Sequence, residues 1–446
     1  MSRILYTAQM QPGSTFRFDR SDYDYVIDRE HSMPESGDEL AVVSAGADGA
    51  VLVGTDVKGR SVIRVSAGSG RMQITDTKVD SGKVKEWLEL AESHFAQKMS
   101  RLFSKGVGMT GADPEIFVRG GDGVIIPSFE FLPPKHSCKK YTTVNGEISH
   151  FWDGYQSEYT ISPKSCHSYF VDDTARALSE ILTEARKKDP KATLDYAPYV
   201  DLPGTLMQDR TDEQNGLGCS PSISAYGERP LDIEDPSMLR CRFAGHHLHF
   251  GWCMAPNFKD RANDIVKAID AIAGVASVSL LDSLDSPHRR AFYGKAGEYR
   301  LPAHGLEYRV LPSSILAHPV IVHLVADLTR SVGYDITWSR GIMIRNWKIP
   351  GGEDTVRRVI NECDAKLARR ILEDNGKIFQ FILDKIYGSV TAPVAYRLFT
   401  EGAPAHLPVA VQDMNENWHI DNPSDWIYHS GSANCSVARC QLKAKR

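Results

Sequence analysis

The chain predicts an α+β fold: an antiparallel sheet with helices packed on its outer face, preceded by a small β-rich N-terminal segment. Three observations carry that reading. Short β-prone runs alternate polar with apolar residues, as in Asp113-Pro-Glu-Ile-Phe-Val118, Ala244-Gly-His-His-Leu-His-Phe-Gly251 and His304-Gly-Leu-Glu-Tyr-Arg-Val-Leu-Pro312. Helical periodicities fall irregularly between these runs. The regular βαβ alternation that a parallel sheet demands is missing.

Each element follows in order. Residues 1–80 hold short β-like runs, such as Ala41-Val-Val-Ser44 and Arg60-Ser-Val-Ile-Arg-Val65, separated by Gly-rich turns. A linking helix is predicted over Lys83 to Phe103, where Val84, Trp87, Leu88, Ala91, Phe95, Met99 and Leu102 keep a 3.6-residue period. Polar strands follow at Asp113–Val118 and, after Trp152-Asp-Gly154, at Tyr155–Ile161. Asp172 or Asp173 is placed to cap an amphipathic helix over 174–187. The Pro-, Gly- and Asp-rich stretch 201–237 reads as a long loop at the mouth of a site. Helices are predicted over 260–281, 317–334 and 353–388, and 391 onward shows no periodicity. The division that results is 1–105 accessory, 106–390 catalytic domain and 391–446 irregular tail.

Bulk properties exclude several classes. A length of 446 residues suits two or three domains, and 42% hydrophobic with 24% charged residues is ordinary for a globular protein. A formal charge of −5 gives no global pull toward nucleic acid or an acidic membrane. The chain lacks a run of about 18 apolar residues, and Met1-Ser-Arg-Ile-Leu-Tyr6 lacks a signal peptide's apolar core, so a cytoplasmic protein is expected. Eight cysteines without a Cys-x-x-Cys read as reduced thiols. His136, Cys138, Cys166 and His167 match no common zinc spacing.

The chemistry lies in the polar strands. Residues i and i+2 of a strand share a face, so Asp113 pairs with Glu115, His247 with His249, and Glu307 with Arg309, while Tyr308 points away. Glu115 sits in a strand that enters the core and needs a partner there, which a divalent cation would supply. Asp153-Gly154 reads equally as a turn or as an acidic ligand, and Glu158 opens a strand. Gly245 and Gly251 bound the His strand and permit close approach of a ligand, with His246 on the structural face. Arg289, Arg290, Lys295 and Arg300, interrupted by Gly294 and Gly297, suit a loop bent around phosphate oxygens. The P-loop and Gly-x-Gly-x-x-Gly signatures are both absent. Acids, imidazoles and guanidinium groups together describe a pocket for a nucleoside triphosphate with Mg²⁺ or Mn²⁺.

Six of these motifs, in order from about 108 to 316, resemble the carboxylate–amine ligases (amidoligases) of tailed phages, a branch of the glutamine synthetase-like superfamily. They are Gly111-Ala-Asp-Pro-Glu-Ile116; Asp153-Gly154 with Glu158-Tyr159; Gly218-Cys-Ser-Pro-Ser222; Gly245-His-His-Leu-His-Phe-Gly251; Arg289 or Arg290 through Tyr293-Gly-Lys-Ala-Gly297 to Arg300; and Glu307-Tyr-Arg309 with Leu311. Ser222 stands where the family has Asp, and His246 where it has Gly. The resemblance implies a glutamine synthetase-like catalytic domain that joins a small-molecule or peptide carboxylate to an amine through an acyl phosphate, using ATP. It also implies the host cytoplasm as the location, with no nucleic-acid or membrane partner.

By the same resemblance Glu115, Glu158, His249 and Glu307 hold the divalent cations. Arg309 and Arg300 stabilise the phosphoryl group, with Lys295 and Arg290 assisting, and His247 is either a ligand or the group that orients one. Three alternatives remain on the sequence. One is a phosphotransferase on the same scaffold, another a metal-dependent hydrolase built on His247 and His249, and the third a non-enzymatic binding protein.

Overall fold

In a computed structural model, the described residues are 110–143, 146–164, 167–216, 222–228, 240–251, 259–338, 342–387, 391–418 and 420, with the backbone of six N-terminal strands. Those strands are β1 (Thr15–Arg17), β2 (Tyr25–Val26), β3 (Glu39–Gly46), β4 (Gly49–Asp56), β5 (Gly59–Val65) and β6 (Met72–Ile74). They form one sheet in the order β1-β3-β4-β5-β6-β2, inside a compact unit that spans Met1–Leu102. The predicted runs at Ala41 and Arg60 fall within β3 and β5. The helix expected over 83–103 lies outside the described residues.

The second unit runs from Phe103 to Arg446. Its strands are β7 (Thr110–Arg119), β8 (Lys140–Thr143), β9 (Gly146–Asp153), β10 (Gln156–Lys164), β11 (Thr193–Asp195), β12 (Tyr199–Asp201), β13 (Ile223–Ser224), β14 (Cys241–Phe243), β15 (His246–Gly251), β16 (Glu298–Arg300) and β17 (Gly305–Tyr308). The main sheet follows the order β13-β16-β17-β15-β7-β10-β9-β8, with β11 also paired to β7, and every ladder in it is antiparallel. The sheet is antiparallel with helices on one face, as the sequence predicts.

Alternation sorts the two faces. Ala112, Ile116 and Val118 of β7, Leu248 and Phe250 of β15, and Leu306 and Tyr308 of β17 are buried in one large core with the helices. Those helices are α1 (His167–Arg186), α2 (Ala262–Ile269, a π-turn at Asp270–Gly274, then Val275–Leu281), α3 (Pro287–Phe292) and α4 (Pro319–Trp338). The π-turn has a local cause. It brings Asp270 to the Tyr308 hydroxyl, which donates to Oδ1 at 2.5 Å, and Gly274 leaves room beside that hydroxyl. On the other face Phe117, Tyr155, Val200, Leu202 and Ala244 form a smaller core. That second core covers one end of the polar face and leaves the acidic strip beyond it.

The stretch expected as one helix over 353–388 is three: α5 (Gly352–Asn361), α6 (Ala365–Asp374) and α7 (Gly376–Tyr387). Cys363 adopts a left-handed φ of 52°, and the Asp364 side chain then caps α6 by accepting from the Leu367 amide at 2.9 Å. At the next break, Asn375 Nδ2 donates to the Ile371 and Lys348 carbonyls. The 201–237 stretch is also less irregular than expected. It holds a 3₁₀ turn at Gly204–Met207 and a short helix at Asp212–Asn215, closed by a Thr211–Gln214 capping box.

The expectation of an irregular chain from 391 is overturned at its start. Ala392–Glu401 is a helix, α8, whose Ala392, Ala395, Leu398 and Phe399 recur at helical spacing and are buried. Pro393 near its start and Gly402 at its end, in a helix this short, hide the period. Met414 and Trp418 are fully buried, and Trp418 Nε1 donates to the Leu316 carbonyl at 2.6 Å. Among the described residues no helix is long and apolar enough to cross a membrane.

The chain around Trp418 is therefore part of the core. Trp418→Ala should cost about 3–5 kcal/mol, the usual range for a large buried aromatic, read as the loss of unfolding free energy in urea. A loss below about 1 kcal/mol, the level of a surface change, would place Trp418 outside the core.

Candidate active site

The polar face of the sheet brings one strip of charged residues together. Register sets it: His249 pairs with Glu307 and Gly111, His247 with Asp113, Arg300 with Glu307, and Glu115 with Glu158. Glu158 in turn faces Phe151, and Asp153 closes the β9 end. Tyr308 lies in the helical layer and Arg309 on the polar face, as strand alternation requires.

The strip has two groups. In one, Asp113, His249 and Glu307 offer ligand atoms all within 4.8 Å of one another. In the other, Glu115, Asp153 and Glu158 do the same. Asp113 and Asp153 thus join the acids expected from sequence. The i, i+2 relation of Asp113 to Glu115 already put Asp113 on this face, and Asp153, at the turn that ends β9, lies within reach of Glu115 and Glu158.

The first group carries its own counter-charges. Arg300 grips Glu307 with Nε to Oε2 at 2.8 Å and Nη2 to Oε1 at 2.6 Å, and Arg309 Nη1 also donates to Oε1. Burial works against the Glu307 charge, but the cationic groups around it, Arg300 and Arg309 among them, hold the carboxyl below its usual value. His249 Nε2 lies 2.8 Å from Asp113 Oδ1, and its Nδ1 lies 3.0 Å from His304 Nε2. Burial would lift the Asp113 carboxyl, yet His249 and His247 keep it well below the carboxylate range. The same pairing, against burial, raises His249.

His247 sits deeper. Its Nδ1 is 3.3 Å from Asp113 Oδ1, and its Nε2 hydrogen-bonds the Tyr293 hydroxyl. Both ring nitrogens are engaged, so of its two expected roles the structure favours orienting its neighbours. Burial, then the nearby Arg309, push His247 down to about 4, which leaves it neutral at pH 7.

The second group is under-compensated. Glu115 is buried and accepts from the Gly245 amide at 2.6 Å, and the only ion pair described for Glu158 is with Lys135, at 3.1 Å. Asp153 Oδ2 is buried with no hydrogen-bond partner. Burial, followed by the neighbouring carboxylates, pushes Glu115 up to about 8, Asp153 to about 7 and Glu158 to about 8. Three crowded carboxylates with one orphaned oxygen form the donor set of a hard divalent cation. The residues fit such an ion.

The basic loop departs from its expected role in part. Arg290 does not reach the strip: it is buried, with Nη2 to Asp285 Oδ2 at 2.5 Å and Nη1 to the Gly294 and Val310 carbonyls. Arg289 is likewise internal, donating to the carbonyls of Ala244, Val310 and Leu311, which clips the start of β15 to the end of β17. Gly294, at φ 73°, leaves the space that the Arg289 guanidinium fills. Gly245 serves similarly: a Cβ there would meet His247, Arg289 and Tyr293, so its room is taken by the protein's own side chains rather than by a ligand. Arg309 is fully buried beneath Glu307 and Tyr293, whereas the Arg300 side chain is 30% exposed. Lys295 is half-buried, and its ammonium has no partner among the described residues.

Two residues escaped sequence reasoning. Tyr293 is buried, bonds His247 and Arg309 through its hydroxyl, and carries the Arg289 and Arg309 guanidinium groups 4.8 and 5.2 Å from its ring centre. Its place in Tyr293-Gly-Lys-Ala-Gly297 was the available signal. Lys135, in Pro133-Pro-Lys-His136, gave none.

An α+β scaffold with two acid groups and a guanidinium cluster on one sheet face makes this strip the candidate active site. Residues 237–335 match the family model of the phage phiEco32-like COOH.NH2 ligases, type 2. Over this segment the chain is similar to the phage-type carboxylate–amine ligases, and the matched stretch contains His247, His249, Tyr293, Arg300, Glu307 and Arg309. No curated protein matches. Among solved structures, a bifunctional glutathione synthetase from Pasteurella multocida is similar at 12% identity and a TM-score of 0.26, over 69% of this chain and 57% of that one. At that level the likeness bears on neither fold nor function.

The charge imbalance has a measurable sign. Glu115, Asp153 and Glu158 have folded pKa values raised above their unfolded ones, so the native state holds extra protons and metal-free stability falls as pH rises. The raised His249 acts in the same direction. In EDTA the melting temperature should drop between about pH 5 and pH 8.5, and millimolar Mg²⁺ or Mn²⁺ should abolish much of that drop. A metal-free melting temperature that rises steadily across this window would show that the acids are ionised and compensated without a cation.

Proposed function

We propose that this chain is an ATP-dependent carboxylate–amine ligase, acting on a small-molecule or peptide acid and amine through an acyl phosphate. The observation that carries the reading is the strip of Asp113, Glu115, Asp153, Glu158, His249 and Glu307 beside Arg300 and Arg309, much of it inside the matched family segment. Glu115, Asp153 and Glu158 would hold one divalent cation, and Asp113, His249 and Glu307 a second. Bound there, such ions supply positive charge to the phosphate oxygens.

A carboxylate is a poor electrophile, and activation precedes amide formation. A carboxylate oxygen forms a bond to the γ-phosphorus as the bond to the ADP oxygen breaks. The amine nitrogen then bonds to the acyl carbon, the carbon–oxygen bond to phosphate breaks, and the amine proton leaves to solvent. Most of the protein's work is positioning and charge neutralisation. Arg300 and Lys295 are the cations open enough to touch the phosphoryl group. Arg309 adds its charge from beneath and fixes Glu307, while His247 and Tyr293 hold that arrangement in place. Arg290 contributes by fastening the loop that presents Lys295. A two-histidine hydrolase fits less well, because His247 has both nitrogens committed within the protein.

An ADP-release screen across acid–amine pairs with Mg²⁺, with products read by mass, tests this proposal. ADP should appear only with both partners present and match the condensed product mole for mole. ADP release that ignores the amine would favour a phosphotransferase, and turnover without ATP a hydrolase. Glu307→Gln should abolish turnover with the fold retained. Arg309→Lys keeps the charge but loses the planar fork to Glu307 and Tyr293, and should slow the reaction at least ~10²-fold, about 2.7 kcal/mol. A variant at wild-type rate would remove Arg309 from the site.

A further inference from the structure

We infer that Lys135 is a tethered counter-ion of the Glu115–Asp153–Glu158 group, an ammonium that a divalent cation displaces. The inference rests on reading that group as a cation site and concerns how the site is filled. The base of the tether is fixed. Trp152 donates its amide to the Pro133 carbonyl at 3.0 Å, Pro134 bridges to Trp152, and Lys135 then opens the 3₁₀ turn Lys135–Ser137. The arm is not. The Lys135 side chain is 67% exposed, while the Glu158 side chain it reaches is 10% exposed. Its ammonium lies 3.1 Å from Glu158 Oε1 and 4.7 Å from the centre of the Phe151 ring, on the floor of the strip.

Charge accounting explains why this arrangement is provisional. The ammonium bonds one of the three acids and leaves Asp153 Oδ2 without a hydrogen-bond partner. A divalent cation carries twice the charge and can bind oxygens of all three acids together. A solvated lysine held by a single ion pair is weakly fixed, so the exchange costs little. Once a cation enters, like-charge repulsion turns the ammonium outward to solvent, where most of the side chain already lies.

The test is a Mn²⁺ titration without nucleotide, with free Mn²⁺ read by electron paramagnetic resonance, on wild type, Lys135→Gln, Lys135→Arg and Glu158→Gln. Removing the competitor should tighten Mn²⁺ binding by about 3–10-fold in Lys135→Gln, while Lys135→Arg stays near wild type and Glu158→Gln weakens it. Unchanged or weaker binding in Lys135→Gln, with Glu158→Gln still impaired, overturns the role of Lys135 and leaves the cation site standing. Absence of Mn²⁺ binding in every variant overturns both.

Discussion

Carboxylates forced onto one face of a sheet repel one another, and burial makes each charge costlier to keep. That constraint organises the polar face of the second unit. Asp113 and Glu307 meet it with protein cations and imidazoles, and their carboxyls stay acidic. Glu115, Asp153 and Glu158 meet it only in part, through Lys135, the Gly245 amide and the charge of Arg309, and are driven toward the protonated form. The cation proposed for this group would supply the charge of opposite sign that the surrounding side chains leave short.

Holding this arrangement takes a rigid scaffold. Arg289 donates its guanidinium to three backbone carbonyls that flank two strands, so the His strand and the Glu-Tyr-Arg strand keep one spacing. Arg290 and Asp285 neutralise each other in the interior beside them. Behind the sheet, Tyr308 reaches through the apolar layer to Asp270 at the π-turn of α2. The described basic residues from Arg289 to Arg309 therefore divide between those buried in fastening the loop and those left partly exposed, Lys295 and Arg300.

Much of the site was legible because strand alternation is strict. A period of two placed Glu307 with Arg309, His247 with His249 and Asp113 with Glu115, and put Tyr308 on the other side. Cross-strand register is not written in any one segment, and so the grouping of Asp153 with Glu115 and Glu158 needed the fold. The inward turn of Arg290 could not be read from sequence, because a loop rich in Arg and Gly looks alike whether it wraps phosphate or carbonyl oxygens. Lys135 was invisible for a related reason: its partner lies 23 residues away and its own neighbours are turn formers. In the fold, one long helical period hid two breaks made by Cys363 and Asn375, and α8 was too short between Pro393 and Gly402 to declare itself.

The central claim is that the under-compensated acids bind a divalent cation between them. An anomalous difference map from crystals of the full chain grown with Mn²⁺ tests it most directly. A peak within about 2.0–2.3 Å of carboxylate oxygens from Glu115, Asp153 and Glu158 is expected, with the Lys135 ammonium moved off Glu158. A map with no peak among these three side chains, and Lys135 still seated on Glu158, would contradict it.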